Sequence, residues 1–296
     1  MNKIIVIVGP TCTGKTKLSI ELAKKYNGEI INADSTQIYK DNDIATAKVS
    51  LEEMEGIKHH LLSIKDLKED YTVFDYQKDA RNCINKIIDK GKIPILVGGT
   101  GLYIKSVLYD YKFNLENNKK ETYDQYNNEE LYKKLLSIDP KTEIHPNNRK
   151  RVERVLDYYF ANNKPISSKE TTNTILYDAI IIGLTTDRNI LYEKINERVD
   201  KMLESGLLDE AHRIYESGIR TKAVLTPIGY KELFPYFEGK EKLDNAILLM
   251  KQNSRHYAKR EETGWLQQMD GKWVTTKDEK GKETIEEGVK DNGEEK

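Results

Sequence analysis

The chain has 296 residues, 38% of them hydrophobic, and a formal net charge of −1. That length supports a substantial core in one large domain or two smaller ones, while two cysteines, Cys12 and Cys83, are too few for a disulfide framework or a cysteine-rich zinc site. No apolar run is long enough for a leader or a membrane span, so a soluble cytoplasmic protein is expected, and any nucleic-acid contact must come from local basic patches.

The first predicted element is a buried strand, Ile4-Ile5-Val6-Ile7-Val8, followed by Gly9-Pro10-Thr11-Cys12-Thr13-Gly14-Lys15-Thr16 and a helix carrying Leu18, Ile20, Leu22 and Ala23. Strand, glycine-rich turn and helix in this order make a P-loop. Gly9 and Gly14 let backbone N–H groups curl round phosphate oxygens, Lys15 adds a point charge, and the Thr16 hydroxyl is placed to ligate Mg²⁺. The helix N-terminus contributes its dipole.

A second strand is read at Glu29–Asp34, a helix on Tyr76, Ala80, Cys83, Ile84, Ile87 and Ile88 stopping near Gly91, and a third strand at Ile93–Val97 before Gly98-Gly99-Thr100-Gly101. A fourth strand, Ala179–Leu184, comes about 80 residues later, more than one crossover helix needs, so a helical insertion is expected over 113–177. Its helices centre on Leu131, Leu135 and Leu136, then on Val152, Val155, Leu156 and Tyr159. Leu191, Ile195, Val199, Met202 and Leu203 mark a long helix ending near Gly206, and Ile247, Met250, Ser254 and Tyr257 mark another. The expected architecture is an α/β P-loop core with a mostly parallel sheet flanked by helices, built from 1–112 and 178–268, with a charged tail over 269–296 that hangs free.

In parallel sheets ligands bind beyond the carboxyl ends of the strands, which here present the P-loop, Asp34 with Ser35 and Gln37, and the Thr100 turn. Asp34 beside a phosphate site suits a general base; its structural alternative is to cap the following turn. Thr100 is open between a structural and a functional role. The apolar strand that should end in a Mg²⁺-binding Asp in an NTP hydrolase ends instead in Val97-Gly98-Gly99, which weakens an ATPase reading and leaves a small-molecule kinase as a rival. Two basic stripes, Arg151 with Arg154 and Lys251 with Arg255 and Lys259, are solvated faces or RNA contacts; the interleaved Tyr158, His256 and Tyr257 favour RNA.

These residues resemble the tRNA dimethylallyltransferases (tRNA isopentenyltransferases). The matching blocks include Gly9–Thr16, Asp34-Ser35-Thr36-Gln37-Ile38-Tyr39, Thr46-Ala47-Lys48, His59-His60-Leu61, Pro94–Tyr103, Ile144-His145-Pro146-Asn147, Asn196 with Arg198 and Val199, Gly229-Tyr230-Lys231-Glu232 and Tyr257-Ala258-Lys259-Arg260. They run in order to about Trp265. The resemblance implies Mg²⁺-assisted transfer of a dimethylallyl group from dimethylallyl diphosphate to the exocyclic amine of the adenosine 3′ of the anticodon, by a cytoplasmic monomer. It implies that Lys15, Thr16 and Arg198 join Gly9, Pro10, Thr11, Cys12, Thr13 and Gly14 in holding the diphosphate, and that Thr100 lies near the reacting groups. It further implies that Asp34, Ser35, Thr36 and Gln37 meet the extruded adenosine, and that the insertion grips the anticodon stem. An adenylate isopentenyltransferase acting on free AMP, ADP or ATP is the alternative within the superfamily, although it would have no need of the insertion. The family often shows Gly where this chain has Ala45 and Pro where it has Val49. Arg260-Glu261-Glu262-Thr263-Gly264-Trp265 replaces the usual Arg-Gln-x-Thr-Trp, and the acidic pair is expected to weaken an RNA contact.

Overall fold

The computed structural model describes residues 2–113, 122–165, 174–268 and 272–275. In chain order the elements of the first half are β1 (Lys3–Val8), α1 (Lys15–Lys25), β2 (Gly28–Asn32), β3 (His59–His60), α2 (Val73–Ile88), β4 (Ile93–Val97), α3 (Gly101–Leu108), α4 (Asn128–Ile138) and α5 (Arg149–Asn162). They are followed by β5 (Asp178–Thr185), α6 (Arg188–Glu204), α7 (Leu207–Glu216), α8 (Lys222–Leu225), α9 (Tyr230–Phe237), α10 (Leu243–Gln268) and β6 (Lys272–Thr275).

The strands form one sheet in the order β3-β2-β4-β1-β5-β6, and every pairing is parallel. Alternation along β1 shows why the sequence needed an uninterrupted apolar run. Ile4, Val6 and Val8 enter the larger core with residues of α2, α3, α7, α9 and α10, whereas Ile5 and Ile7 enter a smaller core with Ile20, Leu22 and Ala23 of α1. All five of these β1 side chains are fully buried. Helix α2 starts at a capping box in which Thr72 and Asp75 satisfy each other's backbone N–H groups.

The chain divides into two compact units, one of residues 1–110 and 174–296 and the other of residues 111–173. The smaller unit has its own core of Tyr123, Leu131, Leu135, Ile144, Val152, Val155 and Leu156. Leu136, one of the residues on which this helix was read, is exposed, because one helical step carries it off the buried Leu131–Leu135 stripe.

Two elements depart from the sequence reading. The short edge strand β3 was not foreseen, since two histidines carry no strand signature; it forms by pairing to β2. The stretch expected to hang free from 269 onward contains β6, which extends the sheet with Ile182 opposite Lys272 and Thr185 opposite Thr275. Backbone ladder bonds to an unpaired sheet edge are available to any sequence, which is why charge-rich composition hid this strand. The rest of that tail lies outside the described residues.

Candidate active site

Strands β2, β4 and β1 are neighbours in the sheet, so their parallel arrangement brings Asp34, the Gly98–Thr100 turn and the P-loop to one end. Gly9 opens the loop at φ 143°, and a Cβ there would lie 2.4 Å from the Leu184 carbonyl oxygen of β5, so only glycine fits. The Thr13 hydroxyl donates to the Pro10 carbonyl at 2.7 Å, and Lys15 Nζ donates to the carbonyls of Gly9 and Pro10 at 2.7 and 2.8 Å. Burial pushes the Lys15 ammonium below the usual lysine range, against the opposing pull of Glu261 and Asp34.

Asp34 takes its structural role with one carboxylate oxygen. Its Oδ1 accepts from the Thr36 N–H and the Thr36 hydroxyl at 2.9 and 2.7 Å, which caps the turn, while Oδ2 has no hydrogen-bond partner among the described residues. The buried Asn32 side chain fixes the carboxylate's backbone: Oδ1 accepts from Asp34 N–H, and Nδ2 donates to the carbonyls of Asp34 and Leu61. Thr100 turns its hydroxyl onto Ser35, accepting from the Ser35 N–H at 3.0 Å and donating to the Ser35 hydroxyl at 3.3 Å, so its contact is with the segment that follows β2.

Arg198 on α6 donates to the Thr11 hydroxyl at 2.5 Å and to the Thr46 carbonyl at 3.5 Å, tying the P-loop to the 43–47 loop. Gln37 Nε2 also reaches the Thr46 carbonyl, at 3.0 Å. The same loop is held from behind by Glu210 of α7, a buried carboxylate that the sequence reading did not single out. It accepts from the N–H groups of Asp43, Ile44 and Ala45 and from the Tyr230 hydroxyl at 2.7 Å. Burial, together with Glu210, pushes the Tyr230 phenol far above its ordinary value, so it remains a donor. Glu210→Ala should lower unfolding stability by roughly 3 kcal/mol or more, because buried N–H groups left without an acceptor cost ~1–3 kcal/mol each, and denaturant titration measures the loss.

Thr11 through Thr16, Asp34 through Gln37, Arg198 and Glu261 line one pocket of about 400 Å³. The rest of its lining mixes an apolar group, Ile195, Val199, Met202, Pro227, Ile228 and Met250, with Thr46, Glu53, Thr226, Ser254 and Tyr257. Such a cavity takes a small ligand with an anionic end and a hydrocarbon end. The apolar contributors from α6, α10 and the 226–228 segment were invisible as site residues in the sequence, where they read only as helix core.

The acidic pair read as disturbing an RNA contact is placed otherwise: Glu261 accepts the Thr11 N–H of the P-loop at 3.1 Å, and Glu262 accepts from the Thr185 hydroxyl at 3.3 Å. In the basic stripes, Arg151 and Arg154 are exposed while Val152 and Val155 face the core of their unit. Lys251 pairs with Asp200 at 2.7 Å and Arg255 donates to Asn196 at 2.7 Å, so α10 spends both on α6; Lys259 is exposed. Thr16 is exposed at the start of α1 in the pocket.

Residues 37–269 match the family model described as IPP transferase. The chain belongs to the IPP transferase family. It is similar to the tRNA dimethylallyltransferase of Anoxybacillus flavithermus, 47% identical over 285 residues that cover 94% of this chain and 92% of that protein. The tRNA dimethylallyltransferase of Bacillus subtilis is 47% identical over 281 residues, covering 91% and 90%. Among solved structures, the tRNA delta(2)-isopentenylpyrophosphate transferase of Staphylococcus epidermidis superposes with a TM-score of 0.74 at 41% identity, covering 99% of both chains. A eukaryotic dimethylallyltransferase captured acting on tRNA superposes with a TM-score of 0.86 at 32% identity, covering 99% of this chain and 79% of that one. The family match begins at Gln37, after the P-loop, whereas the full-length relatives carry the likeness across almost all of this member's chain.

Proposed function

We propose that this IPP transferase family member is a tRNA dimethylallyltransferase that moves a dimethylallyl group from dimethylallyl diphosphate to the exocyclic N6 amine of the adenosine 3′ of the anticodon. The observation that carries the reading is Asp34, with one carboxylate oxygen committed to its turn and the other unengaged, in one pocket with a P-loop and an apolar wall. The relatives' names supply tRNA as the acceptor in preference to a free adenylate.

An adenine amine is a weak nucleophile because its lone pair is delocalised into the ring. As its nitrogen bonds to the allylic carbon, the carbon–oxygen bond to the diphosphate breaks, the electron pair leaves with the diphosphate, and the amine proton passes to Asp34. Lys15 and Arg198 hold the departing diphosphate, with the P-loop N–H groups and the α1 dipole around it. Thr16, which lines the pocket, suits Mg²⁺, since that ion prefers a few protein oxygens together with phosphate oxygens and water. Bound there, Mg²⁺ would offset charge on the leaving group. Ser35, Thr36 and Gln37 meet the flipped adenosine, with Thr100 holding Ser35 in place.

The monomer and the cytoplasm remain part of this proposal; among the described residues no helix is long and apolar enough to cross a membrane. The deciding experiment incubates labelled dimethylallyl diphosphate with bulk tRNA, with AMP, or with neither. Label should enter tRNA alone. Labelled AMP would establish the adenylate alternative, and tight calorimetric binding of ATP without binding of the prenyl donor would establish the kinase. Lys15→Ala should weaken the prenyl donor by roughly 10- to 100-fold, the worth of a hydrogen bond to a charged group, and Thr16→Ala should shift the Mg²⁺ dependence to higher concentrations.

Arg151 and Arg154 test the smaller unit as an RNA surface. Neutralising both should weaken tRNA binding and flatten the plot of log affinity against log salt by about one to two units, since fewer counterions are released, with donor affinity unchanged. Identical slopes and affinities for wild type and double variant would mean that this face does not touch RNA.

A further inference from the structure

Glu261 has no part in the reaction above, yet its carboxylate sits in the donor end of the pocket. It is 9% exposed, and its Oε2 accepts the Thr11 N–H at 3.1 Å. The seat exists because residue 99 has no side chain: a Cβ on Gly99 would fall 2.0 Å from Glu261 Oε1. A P-loop N–H is a natural donor to a phosphate oxygen, and here an acidic side chain already takes one.

The charged groups around it are few. Lys15 faces it from α1, Asp34 from the end of β2 and Arg198 from α6, with the neutral Tyr257 phenol one turn back on α10. Two cations therefore meet two carboxylates before any ligand is counted. A diphosphate ester brings more negative charge into this part-buried space than one Mg²⁺ offsets, and repulsion between the anions left unneutralised is strong there.

We propose that Glu261 is a donor-binding residue that engages the diphosphate as a neutral acid, its carbonyl oxygen keeping the Thr11 N–H and its O–H donating to a phosphate oxygen, so that binding of the prenyl donor takes up one proton. This rests on dimethylallyl diphosphate being the ligand of the P-loop. No bond of the prenyl donor changes: a proton leaves a buffer acid and forms an O–H bond on the carboxylate, and the anionic acceptor becomes a hydrogen-bond donor. Burial pushes the Glu261 carboxyl up to about 7, Asp34 adding to the rise and Lys15, the Thr11 N–H and Arg198 opposing it, so the proton is available near neutral pH.

The sign follows from linkage. A ligand that prefers the protonated form binds best below the free enzyme's pKa and weakens as pH rises through it. With that value at about 7, Glu261 alone makes donor affinity about tenfold weaker at pH 8 than at pH 6. Glu261→Gln keeps a carbonyl acceptor for Thr11 and a fixed N–H donor for the phosphate, with no proton to gain.

The test is calorimetry of the full chain with dimethylallyl diphosphate and Mg²⁺ at pH 6, 7 and 8, in pairs of buffers that differ in ionisation enthalpy, for wild type and E261Q. Subtracting the variant removes the donor's own ionisation. Wild type should lose about tenfold in affinity relative to E261Q between pH 6 and 8, and should take up close to one more proton per donor bound at pH 8. Parallel pH profiles with normal donor binding would overturn this role for Glu261 while sparing the proposed donor, whereas no donor binding at any pH would overturn both. Should E261Q fail to fold, proton uptake by wild type at pH 8 decides the matter alone, and a value of zero overturns the proposal.

Discussion

Replacing Asp34 with Asn should lower single-turnover prenyl transfer by roughly 10²–10⁴-fold, the usual worth of a positioned general base. Asn is the informative substitution because its Oδ1 can still accept from the Thr36 N–H and hydroxyl, and its backbone N–H can still bond Asn32. The turn, and with it Ser35 and Gln37, should therefore stay in place, and KM values for tRNA and donor should move far less than kcat. Asp34→Ala removes the cap as well, so a larger loss in Ala than in Asn would measure the turn's share. A D34N enzyme with near-normal single-turnover rates would remove the carboxylate from the chemistry.

Arg198→Ala should weaken binding of dimethylallyl diphosphate by roughly 30- to 5,000-fold, equivalent to about 2–5 kcal/mol for truncating a half-buried charge that meets an opposite one. Its guanidinium joins the Thr11 hydroxyl to the Thr46 carbonyl, so the substitution also frees the P-loop from the 43–47 loop. Arg198→Lys separates the two effects. A lysine preserves one positive charge but cannot present the planar fork that reaches two loops at once, and it should recover only part of the affinity. Full recovery in Lys would mean that charge alone matters. Equal donor affinity in Ala and wild type, measured by calorimetry, would take Arg198 out of the donor site.

Local pattern was enough for much of the frame. An apolar run followed by a P-loop and an amphipathic helix can pack in few ways, and β1 and α1 lie where that reading put them, with the strand ends of β2 and β4 beside the loop. Strand bounds shifted by a residue or two, as at Gly28–Asn32, because ladder pairing to β4 and not the apolar run sets the end. Long-range placement was less legible. Glu261 read as disturbing an RNA contact and Glu210 drew no reading, and nothing within a few residues of either shows that one reaches Thr11 and the other clamps the Asp43–Ala45 backbone. Lys251 and Arg255 read as part of an RNA-binding stripe, although they pair α10 with α6.

The amino-acid sequence by itself determined that a P-loop follows a buried strand, that an acid stands at the end of the next, and that ordered blocks resemble the prenyltransferases of tRNA. Those features depend on backbone geometry and side-chain chemistry set by immediate neighbours in the chain. Only the tertiary structure decided which oxygen of Asp34 is unengaged, which apolar side chains wall the pocket, that Lys272–Thr275 add a strand, and that Glu261 shares the P-loop's N–H groups. The pocket wall, the added strand and the Glu261 contact join residues tens to hundreds of positions apart, the Asp34 turn is set by what packs around it, and none of these is written in any short stretch of chain, because packing and the need of buried polar groups for partners fix them.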